Sequence, residues 1–503
     1  MLSLLPDSGG PKLHAHAGLP SGTALAGLDA ILVLLPVDAT PGNRLPEASR
    51  WRQLHVQQTP RHGDVRCTFL SRLAPSAAIL GYCRPDATAF EVLSIAGRLV
   101  RQGLLLAPRA RRVAVLAPSG ARALRRRWQE ALLAAASAQA FALPSAKAAT
   151  AVPPPAGIAH VDVYDAVDVD LRRCQATCDG GNLARHLTAL PPNLLNAGGY
   201  RRALATLARR HGLRLRWYDE AALAKLGCGA FLAVSRGNAT RDAGIAHLTY
   251  RPRPGRKARP HIALVGKGIL FDTGGTNLKP HRSMLDMHTD MAGSAVALAS
   301  IVALAQQRSP LAVDAWLAIS DNSIGPKAYR PQEIIRAANG TTIQVIHSDA
   351  EGRLVLADTL TLAARTRPGL LVDYATLTGA CVYALTERMS GVFTNREALV
   401  APVLAAGRDS GERVWPFPLD EDYDSDIEST NADIAQCAVE GKGAHILAAR
   451  FLKRFVPDSV PWLHVDLSSA TRRGGLAHVP TEITGFGIRL TLSLLLDQEL
   501  PTP

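Results

Sequence analysis

From about residue 195 onward the chain alternates short apolar, β-rich runs with segments of helical periodicity. The runs are HIALVG (261–266), LAVDAWLAIS (311–320), TTIQVIHSD (341–349), LLVDYATLTG (370–379) and WLHVDLSS (462–469). Between them lie MAGSAVALASIVALAQQ, GRLVLADTLTLAART and GAHILAARFLKRF. Strands that alternate with helices predict an α/β sheet covered by helices on both faces. Such a sheet gathers its ligand sites at the carboxyl ends of its strands. No internal period on the order of 20–50 residues recurs, which argues against a repeat protein.

The first third has the same alternation without a catalytic constellation. DAILVLLPV and RRVAVLAPS read as strands, RWQEALLAAASAQAFAL as a helix, and AVPPPAG (151–157) as a break. DLRRCQATCDGGNLARHLTALPPN follows with helical spacing and stops at Pro191 and Pro192, as a connecting helix would. The reading is a smaller N-terminal α/β domain (1–165), a connecting helix (166–190) and a larger C-terminal α/β sandwich domain (191–503) that carries the site.

Composition narrows the function classes. With 47% hydrophobic and 20% charged residues, 503 residues supply ample core. The start, MLSLLPDSGGPKLHAHAG, lacks a basic segment followed by a long apolar run, so no signal peptide is expected. The nearby run AILVLLPV is too short for a bilayer and reads as a buried strand. Neither observation points to a membrane. Seven scattered cysteines read as reduced thiols in a cytoplasmic protein; Cys174 and Cys178 are four apart but lack a second pair for a zinc site. The net charge of +13 comes from arginine runs at 109–113, 122–128 and 251–260. A basic surface can bind nucleic acid nonspecifically. No aromatic-interleaved basic motif or zinc finger supports that use, and solubility is the simpler reading.

Two charged clusters stand where the inferred sheet places a site. LVGKGILFDTGGTNLKPHRSMLDMHTDMAGSAVAL (264–298) contains Lys267, Asp272, Lys279 and Asp290; HSDAEGRLVLAD (347–358) contains Asp349, Glu351 and Arg353. Asp349 and Glu351 follow TTIQVIHSD, read as another strand of the same sheet. Capped helix starts would account for first-turn acids. Four converging carboxylates without cations would repel and take up protons, whereas two divalent metals would balance them. Metals about 3.5–4 Å apart could activate water and polarise a carbonyl or phosphoryl oxygen. GKG lacks the phosphate-loop spacing. Spacing alone leaves caps and metal ligands both open.

The octad HSDAEGRL, with LTALPPNLL, LGCGAFLAVSRGN, VGKGILFDTGG, KAYRPQEII, YATLTGA and WLHVDLSSAT in the same order, resembles the leucine aminopeptidase (cytosol aminopeptidase) family over roughly residues 180–490. The resemblance implies a metalloexopeptidase of the leucyl aminopeptidase type, a hydrolase that removes leucine and other apolar N-terminal residues through a two-metal-activated water. It implies Lys267, Asp272, Asp290, Asp349 and Glu351 as ligands of two divalent ions, Zn or Mn, with Asp272 and Glu351 bridging and Lys267 bound as a neutral amine. Lys279 and Arg353 are implied as catalytic, Lys279 by stabilising the gem-diolate and Arg353 by holding a bicarbonate ion as general base. Met287, Thr376, Leu377, Gly379 and Ser468 are implied to contact substrate, and a homohexamer of two stacked trimers is implied as the assembly. The chain departs from the family pattern at His288-Thr289, at His347-Ser348 and at Ser468. Both histidines are expected to be replacements behind the ligands and not extra ligands. The competing reading is a nucleic-acid-binding protein that keeps the peptidase fold as a scaffold.

Overall fold

The protein, seen in a computed structural model, is described over residues 2–6, 10–70, 76–147, 157–252 and 261–500. The proline-rich break, apart from Gly157, and the third arginine run after Pro252 lie outside these residues.

The N-terminal part forms a six-stranded sheet in the order Lys12–His16, His160–Tyr164, Arg112–Leu116, Ala30–Pro36, Ser76–Cys83, Val65–Leu70. Its neighbours are parallel except for the hairpin edge strand Val65–Leu70. Ala30–Pro36 is buried along its whole length because apolar clusters cover both faces. Helices Ala89–Leu106 and Arg122–Ala140 pack on one face, and Trp51 and Leu54 of helix Ala48–Val56 on the other. Thr88 and Glu91 fix the start of Ala89–Leu106 as a reciprocal cap.

The expected connecting helix is Leu171–Ala189, capped by Asp170. It lies on helix Ala292–Gln306, where Gly180 meets Ala299 and Ala303; a Cβ there would stand 3.3 Å from the Ala299 carbonyl oxygen. This explains why Ala292–Gln306 is apolar around most of its circumference: the sheet lies beneath it and the connecting helix above. The run 281–306 is long and apolar enough to cross a membrane, yet 83% of its most apolar window is buried within the protein, as in a core helix.

The C-terminal sheet has eight strands in the order Val414–Pro416, Ser390–Thr394, Trp462–Asp466, Leu370–Ala375, Ile262–Asp272, Val313–Asn322, Gly244–Tyr250, Arg214–Asp219. The four central strands from Trp462–Asp466 to Val313–Asn322 are parallel. Ala292–Gln306 covers one face with Ala197–His211 and Ile488–Asp497, and Glu351–Ala364 covers the other with Gly229–Ser235 and Ala444–Lys453. The protein is thus an α/β protein with a smaller sheet domain joined by a helix to a larger α/β sandwich.

One strand expectation fails. TTIQVIHSD does not enter this sheet. Only Thr342–Gln344 is a strand, paired with Ile334–Arg336 and Ile434–Ala435 in a separate three-stranded sheet. A local hairpin satisfies its β-forming residues, and the chain then turns away to carry Ser348 into the site. Acids 349 and 351 therefore follow a small side sheet rather than a main strand.

Leu317 is 0% exposed at the centre of the main sheet. Replacing it with Ala should cost about 2–5 kcal/mol through lost contacts and a residual cavity. The urea unfolding midpoint should fall accordingly.

Candidate metal centre

The acids come from four places on the C-terminal half. Asp272 ends strand Ile262–Asp272, Asp290 stands in the turn before helix Ala292–Gln306, Asp349 lies in the turn Ser348–Ala350, and Glu351 opens helix Glu351–Ala364. Helix starts present unpaired N–H groups and favour negative charge nearby. Asp272, Asp290 and Glu351 are buried, and each offers an oxygen within 4.8 Å of the others'. Asp349 lies outside this tight group. It is joined to it through Lys279 Nζ, which is 2.6 Å from Asp349 Oδ1 and 2.9 Å from Asp272 Oδ2.

Lys267 projects from mid-strand and is nearly fully buried. Its Nζ is 2.8 Å from Asp290 Oδ2 and 2.9 Å from Glu351 Oε1, and donates to the Thr376 carbonyl at 3.1 Å. Two glycines make the arrangement possible. A Cβ at Gly352 would stand 2.6 Å from Lys267 Nζ, and one at Gly274 would stand 2.9 Å from Asp349 Oδ1. Gly274 also has φ +83, a conformation that favours glycine.

Neutral neighbours aim the carboxylates. Asp272 Oδ1 accepts from Gly274 N and Asn322 Nδ2, both at 2.8 Å. The same Asn322 amide reaches the Ser348 carbonyl at 3.0 Å and Glu351 Oε2 at 3.5 Å. Thr376 Oγ1 donates to Asp290 Oδ1 at 2.7 Å. Asp466 in turn fixes the loop that carries Thr376, accepting from Leu377 N at 3.2 Å and Thr378 Oγ1 at 2.6 Å.

With the protein's own groups alone, four carboxylates face two ammonium groups. Burial, reinforced by neighbouring acids, pushes Glu351 up to about 8 and Asp290 up to about 6, and burial raises Asp349 as well. Burial opposes the charge on Lys267 and Lys279, but the surrounding carboxylates outweigh it and raise both. Lys267 is thus an ammonium in this arrangement, and a metal would have to take the place of its proton. The donor set fits divalent cations. Its oxygens converge, its charge is short of cations, and Asp290 Oδ2 and Asp349 Oδ1 accept no well-aligned hydrogen bond despite the nearby ammonium groups.

Arg353 is buried on the first turn of helix Glu351–Ala364. Nη1 donates to the Gln436 carbonyl at 2.9 Å, while Nε is buried with no hydrogen-bond partner. The Gln436 side chain braces the loop before the acids, accepting from Ile346 N and His347 N, both at 3.1 Å, and donating to the Ala350 carbonyl at 3.1 Å. Sequence reasoning missed Asn322, Asp466 and Gln436. Asn322 and Asp466 had one legible signal: each is a polar residue at the carboxyl end of a main strand. Gln436 had none.

The other expected residues divide. Thr376 touches the cluster directly. Leu377 is half-buried against an apolar cluster, Met287 is half-buried in the turn Met287–Thr289, and Gly379 is exposed at the start of helix Gly379–Leu385. Ser468 is buried; its hydroxyl donates to the Met389 carbonyl at 2.7 Å and lies 3.5 Å from Cys381 Sγ. His347 Nδ1 accepts from Asp349 N at 3.2 Å and so caps the turn. Among the described residues, the tight acid group includes neither His347 nor His288.

Residues 182–492 match the model of the cytosol aminopeptidase family, catalytic domain. A probable cytosol aminopeptidase of Parasynechococcus marenigrum (strain WH8102) is 39% identical over 333 residues, covering 65% of this chain and 67% of that protein. One of Syntrophotalea carbinolica (strain DSM 2380 / NBRC 103641 / GraBd1) is 40% identical over 339 residues, covering 67% of each. Among solved structures, the bottromycin maturation enzyme BotP in complex with Mn is similar with a TM-score of 0.78 at 30% identity, covering 93% of this chain and 99% of that one. The chain belongs to the cytosol aminopeptidase family, and with it to the metal-dependent exopeptidase hydrolases.

Proposed function

We propose that the protein removes leucine and other apolar residues from the N-termini of peptides, using two divalent ions held by Lys267, Asp272, Asp290, Asp349 and Glu351. The observation that carries this reading is the convergence of three buried carboxylates within 4.8 Å beside two lysines. Manganese is favoured as one of the ions because BotP, the structural relative, is in complex with Mn. Bound divalent ions supply Lewis acidity that polarises the scissile carbonyl and makes water nucleophilic at neutral pH. Asp272 and Glu351, both reached by the Asn322 amide, would each help to hold the ions. Lys279, an ammonium held between Asp272 and Asp349, would stabilise the negative charge that develops on the carbonyl oxygen. The Arg353 guanidinium, whose Nε has no hydrogen-bond partner, would hold a bicarbonate ion, and that ion would supply a general base there. Leu377 and Met287 contribute apolar surface to the side-chain pocket, with Thr376 and Gly379 along the peptide backbone. Ser468 adds little polarity there, since its hydroxyl is engaged by Met389. A cytoplasmic homohexamer fits the family and the free thiols.

Among the described residues, no observation favours the nucleic-acid reading. Three arginines of the first two basic runs pair internally, Arg112 with Asp162, Arg122 with Asp168 and Arg125 with Asp165.

The direct test is hydrolysis of a panel of aminoacyl amides after chelation and after return of Mn or Zn. Activity should vanish and return with metal, and Glu351→Ala should lose both metal and activity; full activity in chelated protein would refute the proposal. Lys279→Ala should lower kcat by about 10²–10³ with metal content unchanged, the range for losing one donor to developing negative charge. Arg353→Ala should lower kcat by about 10²–10⁴, keep its metals and recover partly in added bicarbonate. Gly352→Ala should push Lys267 from between its acids. Metal analysis should show a reduced content while circular dichroism stays as in the parent.

A further inference from the structure

A small cavity of about 40 Å³ opens between helices Arg122–Ala140 and Leu171–Ala189 and the stretch from His478 to the start of helix Ile488–Asp497. It shares no lining residue with the acid cluster, and both halves of the chain build it.

Arg185 lines this cavity and is 1% exposed. Its guanidinium donates to the Ala138 carbonyl at 3.0 Å, Asn182 Oδ1 at 2.8 Å and Thr481 Oγ1 at 3.1 and 2.9 Å, and stands over the Phe141 ring. Every partner is neutral. No carboxylate supports the charge, and burial alone lowers its pKa to about 10. A buried cation without a counter-charge is costly, and these four bonds leave one Nη2 N–H over.

His478 lines the same space, with Nδ1 buried and without a hydrogen-bond partner. Burial, with Arg489 and Arg185 nearby, keeps its ring neutral, so one ring nitrogen carries a proton to donate. Arg489 adds a second guanidinium. The acid on the wall, Glu412, is turned to the helix start, where it accepts from Gly487 N at 2.9 Å and Leu490 N at 2.8 Å; burial pushes it up to about 7. The cavity is therefore short of negative charge at its Arg185 end.

We propose that this cavity binds one small oxyanion or carboxylate, seated on Arg185 and His478. The anion supplies the missing counter-charge and ties the N-terminal and connecting helices to the C-terminal sandwich. It is independent of the peptidase reading.

The test is isothermal titration of sodium sulfate, and separately of sodium acetate, into manganese-loaded full-length protein at constant ionic strength. The wild type and Arg353→Ala are run in parallel, because the substitution removes the other guanidinium proposed to hold an anion. Saturable binding of one anion per chain is expected in both, with a saturable rise in Tm. His478→Ala should weaken it at least tenfold and Ala138→Leu, which fills the cavity, should abolish it, while circular dichroism and basal peptidase rate match the parent. Sulfate binding without acetate binding would assign the site to oxyanions, and the reverse to carboxylates. Absence of saturable binding in Arg353→Ala, or binding indifferent to His478→Ala, would overturn the proposal.

Discussion

One ammonium group joins the two layers of the catalytic half. Lys267 Nζ lies 2.8 Å from Asp290, which precedes the helix on one face of the sheet, and 2.9 Å from Glu351, which opens the helix on the other. A lysine buried to this degree survives only among carboxylates, and carboxylates this close survive only among cations. Each requirement answers the other, so the strand centre and both helix starts are fixed relative to one another. The same balance leaves an excess of negative charge, which is what gives a divalent ion its differential affinity for this place.

Much of the fold was legible because the physics that forms it is local. The buried strand Ala30–Pro36 and the first half of Ile262–Asp272, up to Lys267, appear as apolar runs, as expected for parallel strands covered on both faces. Leu171–Ala189 announces its end with Pro191 and Pro192. The edge strands Arg214–Asp219 and Val414–Pro416, and the short strand Ser390–Thr394 next to the latter, were not legible, since short or half-exposed strands carry a weak apolar signal. Thr342–Gln344 was misassigned for a different reason. Its composition reports a wish to pair, and the identity of the partner is decided by segments 334–336 and 434–435, one of them about ninety residues away.

The site divides along the same line. Acids and lysines stand out because an unpaired charge beside apolar sequence demands an explanation, and the family resemblance then assigned them roles. The residues that aim them do not stand out. Asn322, Thr376, Asp466 and Gln436 act through neutral or already satisfied hydrogen bonds made across 50 to 89 residues of sequence. Gln436 has no local signal at all, and for Asn322 and Asp466 a place at the end of a main strand gives position without role. The TM-score of 0.78 over 93% of the chain also brings in the N-terminal third, which the family match beginning at residue 182 leaves out.

Asn322 shows how far a small irregularity can reach. The pairing of Val313–Asn322 with Ile262–Asp272 runs in register to Ser320, then shifts so that Asn322 opposes Asp272. An extra residue of this kind re-aims the side chains beyond it. The extra residue lies in Ile262–Asp272, where three steps from Ile269 to Asp272 match two from Ser320 to Asn322, and it is Asp272 that is thereby turned to meet the Asn322 amide. That amide binds Asp272 Oδ1 and reaches Glu351 Oε2 from a single nitrogen. One amide thus reaches two of the acids, and one inserted residue in the neighbouring strand brings the first of them opposite it. A neutral donor suits this task because it orients one oxygen of each acid without supplying the positive charge that a metal must bring. A lysine in its place would fill the charge deficit and remove the reason for an ion to bind.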